Sequence, residues 1–132
     1  MAFFENKKDK EKKRILIIED DALLAKVLIN SSEAEGFDAL NIKDGLQVIE
    51  TAKKYNPHII LLDLILPGLD GFEVLKRLKA DAQIGKIPVF VLSNLDGISD
   101  IKSIKALGAE QYFLKAETRV ENIINSVKKR IE

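Results

Sequence analysis

The chain has 132 residues, the length of one domain. Its 21 Lys and Arg balance 21 Asp and Glu, so the overall charge gives no argument for a nucleic-acid partner. The absence of cysteine and the single histidine, His58, exclude disulfides, thiolate chemistry, zinc–thiolate sites and multi-histidine metal sites.

No apolar run approaches the roughly 20 residues of a membrane span. The first 14 residues lack a signal-peptide core, so a cytoplasmic protein is expected. Residues 1–14 carry six basic and three acidic side chains with only Phe3 and Phe4 as large apolar groups, a composition that predicts a flexible basic leader. The domain is expected over residues 15–132.

Ile15-Leu16-Ile17-Ile18 is a continuous aliphatic run, the pattern of a strand buried on both faces. Asp21 is placed to cap a helix running through Leu24, Val27 and Leu28 to Glu35, which Gly36 stops. Residues 37–42 read as a second strand, less apolar and so expected at a sheet edge. Asp44-Gly45 turns into a short helix with Leu46, Ile49 and Ala52 on one face, ended near Asn56-Pro57.

A third strand follows over residues 58–63, and a loop with Pro67, Gly68 and Gly71 leads into a helix carrying Phe72, Leu75 and Leu78. Asp70 reads as a turn or cap residue. Residues 88–93 form the fourth strand, and Ile101, Ile104 and Leu107 mark a helix ended by Gly108. Residues 111–114 form the fifth strand. The last helix sets Val120, Ile123, Ile124, Val127 and Ile131 along one stripe. Strands and helices that alternate in this way imply an α/β protein with a doubly wound parallel sheet and right-handed crossovers.

In such sheets ligands bind beyond the carboxyl ends of the strands. The first strand ends in Glu19-Asp20, the third in Asp63, the fourth in Ser93 and the fifth in Lys115. Three carboxylates against one ammonium leave excess negative charge, which a divalent cation would offset. Oxygen-only ligands select a hard ion, and a sparse carboxylate set suits Mg²⁺. A cation, a lysine, a hydroxyl and a nucleophilic aspartate are together what phosphoryl transfer requires.

From Ile15 onward the chain resembles the receiver domain of two-component response regulators of the chemotaxis-regulator-like kind. The resemblance rests on the acidic pair in ILIIEDD, the aspartate in IILLDLILPGLDG, the serine in PVFVLSN and the lysine in GAEQYFLKA. It implies a flavodoxin-like five-stranded sheet of order 2-1-3-4-5 with five helices. Asp63 would be the phospho-acceptor, served by a sensor histidine kinase or a histidine phosphotransfer protein. Glu19, Asp20, Asp63 and the backbone carbonyl of Ile65 would hold Mg²⁺, Glu19 mainly through a metal-bound water. Lys115 would pair with phosphoryl oxygens. Ser93 and Tyr112 match the two switch positions, and a downstream protein would dock on the face made by the fourth helix, fifth strand and fifth helix. The expectation is a stand-alone signalling switch rather than an enzyme, with no nucleic-acid or membrane partner.

Two residues depart from the family pattern. Ala116 stands where proline usually follows a cis peptide, and a cis bond before a non-proline residue costs roughly 3–4 kcal/mol. The expectation is therefore a trans bond with a rearranged loop, or a strained cis bond. Asn94 stands where a very small residue is usual, which would narrow access to Asp63. Ile65 and Leu95, two positions beyond Asp63 and Ser93, cannot orient an attacking water, so self-dephosphorylation should be slow.

Other readings compete. Tyr112 also fits a space-filling role, Ser93 a buried hydroxyl, and His58 a structural one. A phosphatase of the haloacid dehalogenase kind would need an aspartate at position 65. A nucleotide-binding fold would need glycines after the first strand, where EDDALLAK has none. An interaction module with a receiver fold and an inactive phosphorylation site stays open on Ala116 and Asn94.

Overall fold

The computed structural model describes residues 12–94 and 97–132. The strands are β1 (Arg14–Ile18), β2 (Asp38–Ile42), β3 (Ile59–Asp63), β4 (Val89–Ser93) and β5 (Gln111–Leu114). Between and after them lie the helices α1 (Ala22–Ala34), α2 (Val48–Tyr55), α3 (Gly71–Ala80), α4 (Ile98–Ala106) and α5 (Val120–Ile131). The strands form one parallel sheet of order β2-β1-β3-β4-β5. The fold class is the one expected.

The aliphatic runs account for the layers. In β1, β3 and β4 successive side chains point to opposite faces and both faces are covered. Leu16, Ile18, Ile60, Leu62, Val89 and Val91 pack with Val48 and Ala52 of α2, Val74, Leu75 and Leu78 of α3, and Ile104 of α4. Ile15, Ile17, Ile59, Leu61, Phe90 and Leu92 pack on the other face with Leu28 of α1 and with Ile123, Ile124 and Val127 of α5. β2 is half exposed at the edge, as its weaker apolar content implies. The α5 stripe lies on the core as expected, with Val120 and Ile131 at its margins.

Caps read from the sequence are in place. The Asp21 side chain accepts from Leu23 and Leu24 N–H, and Asp70 from Phe72 N–H, so both aspartates cap the N-termini of helices. Gly108 has φ +111°, a conformation that favours glycine where the chain leaves α4.

One expected helix face is wrong. Leu46 does not share a buried face with Ile49 and Ala52. Asp44 accepts from Leu46 N–H and starts a 3₁₀ turn over Gly45–Gln47, whose tighter winding shifts the phase of α2. Leu46 is therefore 65% exposed, and Val48 and Ala52 fill the core. In α1 the inward residues are Ala25, Leu28 and Ser32, while Val27 is 39% exposed.

The leader expected over residues 1–14 falls largely outside the described residues. Its last residue, Arg14, already belongs to β1. The Arg14 side chain donates to the carbonyls of Tyr55 and Asn56, closing the end of α2. Its backbone N–H donates to His58 Nδ1 at 2.9 Å, which gives His58 a structural role.

Candidate functional site

The order β2-β1-β3-β4-β5 puts the switch point between β1 and β3, where Glu19 directly follows β1 and Asp63 is the last residue of β3. Both continue the odd-numbered series of their strands. The preceding aliphatic residues are fully buried, so the two carboxylates are buried with them, whereas Asp20 is exposed. Oxygens of Glu19, Asp20 and Asp63 lie within 4.8 Å of one another. Lys115, in a 3₁₀ turn following β5, reaches across to place Nζ 2.9 Å from Asp63 Oδ2 and 2.7 Å from Glu19 Oε1.

Each carboxylate is anchored on its other oxygen. Glu19 Oε2 accepts from Asp21 N–H at 3.1 Å, and Asp63 Oδ1 from Ile65 N–H at 3.1 Å. Burial pushes the Glu19 carboxyl above its ordinary range. The Lys115 ammonium and the Asp21 N–H oppose that shift, while the charge of Asp63 adds to it. Burial alone would lower the Lys115 ammonium, but its contacts with Glu19 and Asp63 outweigh this and hold it above its ordinary value.

Glu19 Oε1 decides whether a cation fits here. The Lys115 ammonium approaches it as an ion pair without the direction of a hydrogen bond, and this buried oxygen has no directed donor. One ammonium also fails to balance three carboxylates. The oxygen-only donor set suits a hard divalent cation.

The loop after β3 is tightly fitted. Gly71 N–H donates to the Leu64 carbonyl at 3.0 Å, and a Cβ on Gly71 would come within 2.3 Å of Leu64 Cα and O. Gly68 adopts φ +90° against Asp44. Ile65 sits in this loop with its side chain 61% exposed.

Ser93 is buried at the end of β4, with Leu114 as its partner in register. Tyr112 pairs with Val91 in register, packs on the α2–α3–α4 side of the sheet, and donates from Oη to the Ser93 carbonyl at 3.3 Å. The Lys115–Ala116 peptide is trans, so the strained cis alternative does not occur. Asn94 is exposed, and its Oδ1 accepts from Ala116 N–H at 3.1 Å. Leu95 lies outside the described residues.

Sequence reasoning missed Asn41. Its side-chain amide reaches the carbonyls of Ile17 and Glu19 at 3.0 and 3.1 Å and so fixes the end of β1. An asparagine between Leu40 and Ile42 of the edge strand was the available signal.

An acidic pocket with a bridging lysine at the switch point of a doubly wound sheet defines a class of phosphoryl-accepting α/β domains. The family described as response regulator receiver domain matches residues 15–128, and the chain belongs to it. Members are signalling modules of two-component systems controlled by phosphorylation, and they bind Mg²⁺ at an acidic pocket.

Among relatives, the DNA-binding response regulator MtrA of Mycobacterium tuberculosis is 36% identical over 107 residues, covering 81% of this chain and 46% of that protein. The polar-differentiation response regulator DivK of Brucella ovis is 33% identical over 103 residues, covering 78% of this chain and 84% of that protein. The chain spans about half the length of the MtrA relatives it matches. Among solved structures, the receiver domain of Francisella response regulator 1452 superposes with TM-score 0.83 at 26% identity, covering 91% of this chain and 97% of that one. The activated receiver domain of Klebsiella pneumoniae RstA, at 23% identity and TM-score 0.82, shares the fold over 91% of this chain and 99% of its own. Among the described residues no helix is long and apolar enough to cross a membrane.

Proposed function

We propose that this chain is a phosphorylation-dependent switch that accepts a phosphoryl group on Asp63 from a histidine kinase or histidine phosphotransfer protein. The observation that carries the reading is the contact of the Lys115 ammonium with both buried carboxylates, Glu19 and Asp63. An ammonium so placed can turn from the Asp63 oxygen to the oxygens of an incoming phosphoryl group.

Asp63 Oδ2 would attack phosphorus as the bond to the donor's imidazole nitrogen breaks. The acyl phosphate stays on Asp63 and the imidazole departs. Lys115 would pair with the phosphoryl oxygens, and the Ser93 hydroxyl would donate to one of them. Glu19, Asp20, Asp63 and the Ile65 carbonyl would hold Mg²⁺, which when bound offsets charge on the transferring group.

The new group adds roughly −1.5 to −2 charge and strong acceptor oxygens. Ser93 moving toward it would disturb the Tyr112 Oη contact with the Ser93 carbonyl. The face of α4, β5 and α5 would then change its population of conformers and its affinity for a downstream protein. Slow self-dephosphorylation belongs to the same reading, because the Ile65 side chain offers no group to orient water. No nucleic-acid or membrane contact, and no output enzyme activity, enters the proposal. On stand-alone operation the relatives pull in opposite directions, DivK being covered over 84% of its length and MtrA over 46%.

Incubation with acetyl phosphate and Mg²⁺, read by intact mass, tests the proposal. One phosphoryl group on the wild type and none on Asp63→Asn is the expected result. No uptake, or uptake unchanged in Asp63→Asn, would overturn it.

A further inference from the structure

β4 and β5 end side by side, with Ser93 opposite Leu114. The two segments then diverge, β4 into Asn94 and β5 into the 3₁₀ turn Lys115–Glu117. A helical turn begins with backbone N–H groups that have no partner within it. The residue preceding this turn, Leu114, has no side chain to cap them. Because residue 116 is alanine and not proline, an N–H is available there. Asn94 Oδ1, in the segment after β4, accepts it at 3.1 Å.

The far end of the same turn is tied as well. Thr118 Oγ1 donates to the Leu114 carbonyl at 2.8 Å. Lys115 is therefore bracketed by two side-chain hydrogen bonds, one of them to the residue that follows β4. Its long side chain must bring one ammonium to carboxylates on two further elements, Glu19 after β1 and Asp63 of β3. A flexible four-carbon stem meets that demand reproducibly only if its backbone origin is fixed.

We infer that Asn94 is a positioning residue: its amide oxygen caps the Lys115–Glu117 turn from across the sheet and so holds the Lys115 ammonium against Asp63 and Glu19. The inference rests on the reading of Asp63 as phospho-acceptor for its consequence, though not for its geometry. The bond is exposed, so its net worth is that of one solvent-competed hydrogen bond. Its loss should change a rate by about threefold to tenfold rather than abolish it.

The test compares wild type, Asn94→Leu, Asn94→Ala and Asn94→Asp. Leucine matches asparagine in size but offers no acceptor, alanine is a second acceptor-free variant, and aspartate keeps an acceptor oxygen. Hydrogen exchange at the Ala116 amide and the Lys115 ε-methylene resonances are read in the unphosphorylated protein, and phosphoryl uptake from acetyl phosphate is timed separately. The expected result is Ala116 exchange about threefold to tenfold faster in the leucine and alanine variants, with displaced Lys115 resonances and slower uptake by a similar factor. Asn94→Asp should restore the Ala116 protection. Wild-type exchange and Lys115 resonances in Asn94→Leu and Asn94→Ala would overturn the inference. Absence of uptake in every protein, wild type included, would count against the phospho-acceptor reading, and the two resonance measurements would still decide the role of Asn94.

Discussion

Lys115 Nζ lies 2.9 Å from Asp63 Oδ2, joining residues 52 positions apart in the chain. The ammonium occupies charge that a bound cation would otherwise neutralise. Lys115→Met should therefore tighten Mg²⁺ binding, by about tenfold once solvent screening is allowed for. The same substitution should slow phosphoryl uptake, because the group that pairs with the phosphoryl oxygens is gone. Calorimetric Mg²⁺ titration of both proteins checks the first expectation, and weaker binding in Lys115→Met would contradict it.

The loop between Asp63 and α3 is defined by Gly71. A Cβ at that position would come within 2.3 Å of Leu64 Cα and O, and backbone atoms cannot retreat as a flexible side chain can. Gly71→Ala should destabilise the fold by about 3 kcal/mol, at the upper end of overpacking costs. It should also displace the loop that carries Ile65. Thermal unfolding with and without Mg²⁺ measures both effects. An unchanged melting temperature would show that Leu64 is not pinned as described.

How much of this was legible beforehand differs from residue to residue. β1, β3 and β4 were readable because runs such as Ile59–Leu62 are aliphatic on both faces. The five groups at the sheet's rim were readable because each follows an apolar run that has no other use for a polar side chain. The phase of α2 was not, because it depends on Asp44 closing a 3₁₀ turn on Leu46 N–H rather than on apolar spacing. Asn41 and Asn94 were opaque for another reason. Their partners, the Glu19 carbonyl and Ala116 N–H, are neighbours only once the strands are laid side by side.

His58 supplies a pH dependence of defined sign. Burial lowers its pKa from the ordinary value of about 6.5, and the charges of Arg14 and Lys13 lower it further. In the folded protein Nδ1 accepts from Arg14 N–H, which a protonated ring could not do. The unfolded chain therefore binds the proton more readily. His58 contributes stability above about pH 6.5 that is lost as the pH falls from there toward the folded-state pKa. His58→Asn keeps an acceptor in place of Nδ1 without titrating. Wild type should lose stability relative to His58→Asn on acidification from pH 7.5 to 5.5, measured by denaturant unfolding. Parallel curves would contradict this.

Tyr112 Oη donates to the Ser93 carbonyl, so a movement of the β4 end must be felt at the ring. Addition of fluoroberyllate and Mg²⁺, a mimic of the phosphorylated state, should shift the Tyr112 ring resonances and those of neighbouring α4 and β5. In Tyr112→Phe the β4 shifts should persist while the α4 response shrinks. Spectra unchanged around Tyr112 in the wild type would remove the switch from the account.

The position of the acyl phosphate is the most direct test of all. Borohydride reduces a phosphoaspartate to homoserine, marking the acceptor by mass in the peptide that contains it. After treatment with acetyl phosphate and Mg²⁺, the marked residue should be Asp63, with Glu19, Asp20 and Asp21 unmodified. Homoserine at Asp20 or Asp21 instead, or at no position despite added phosphodonor, would contradict the assignment of Asp63.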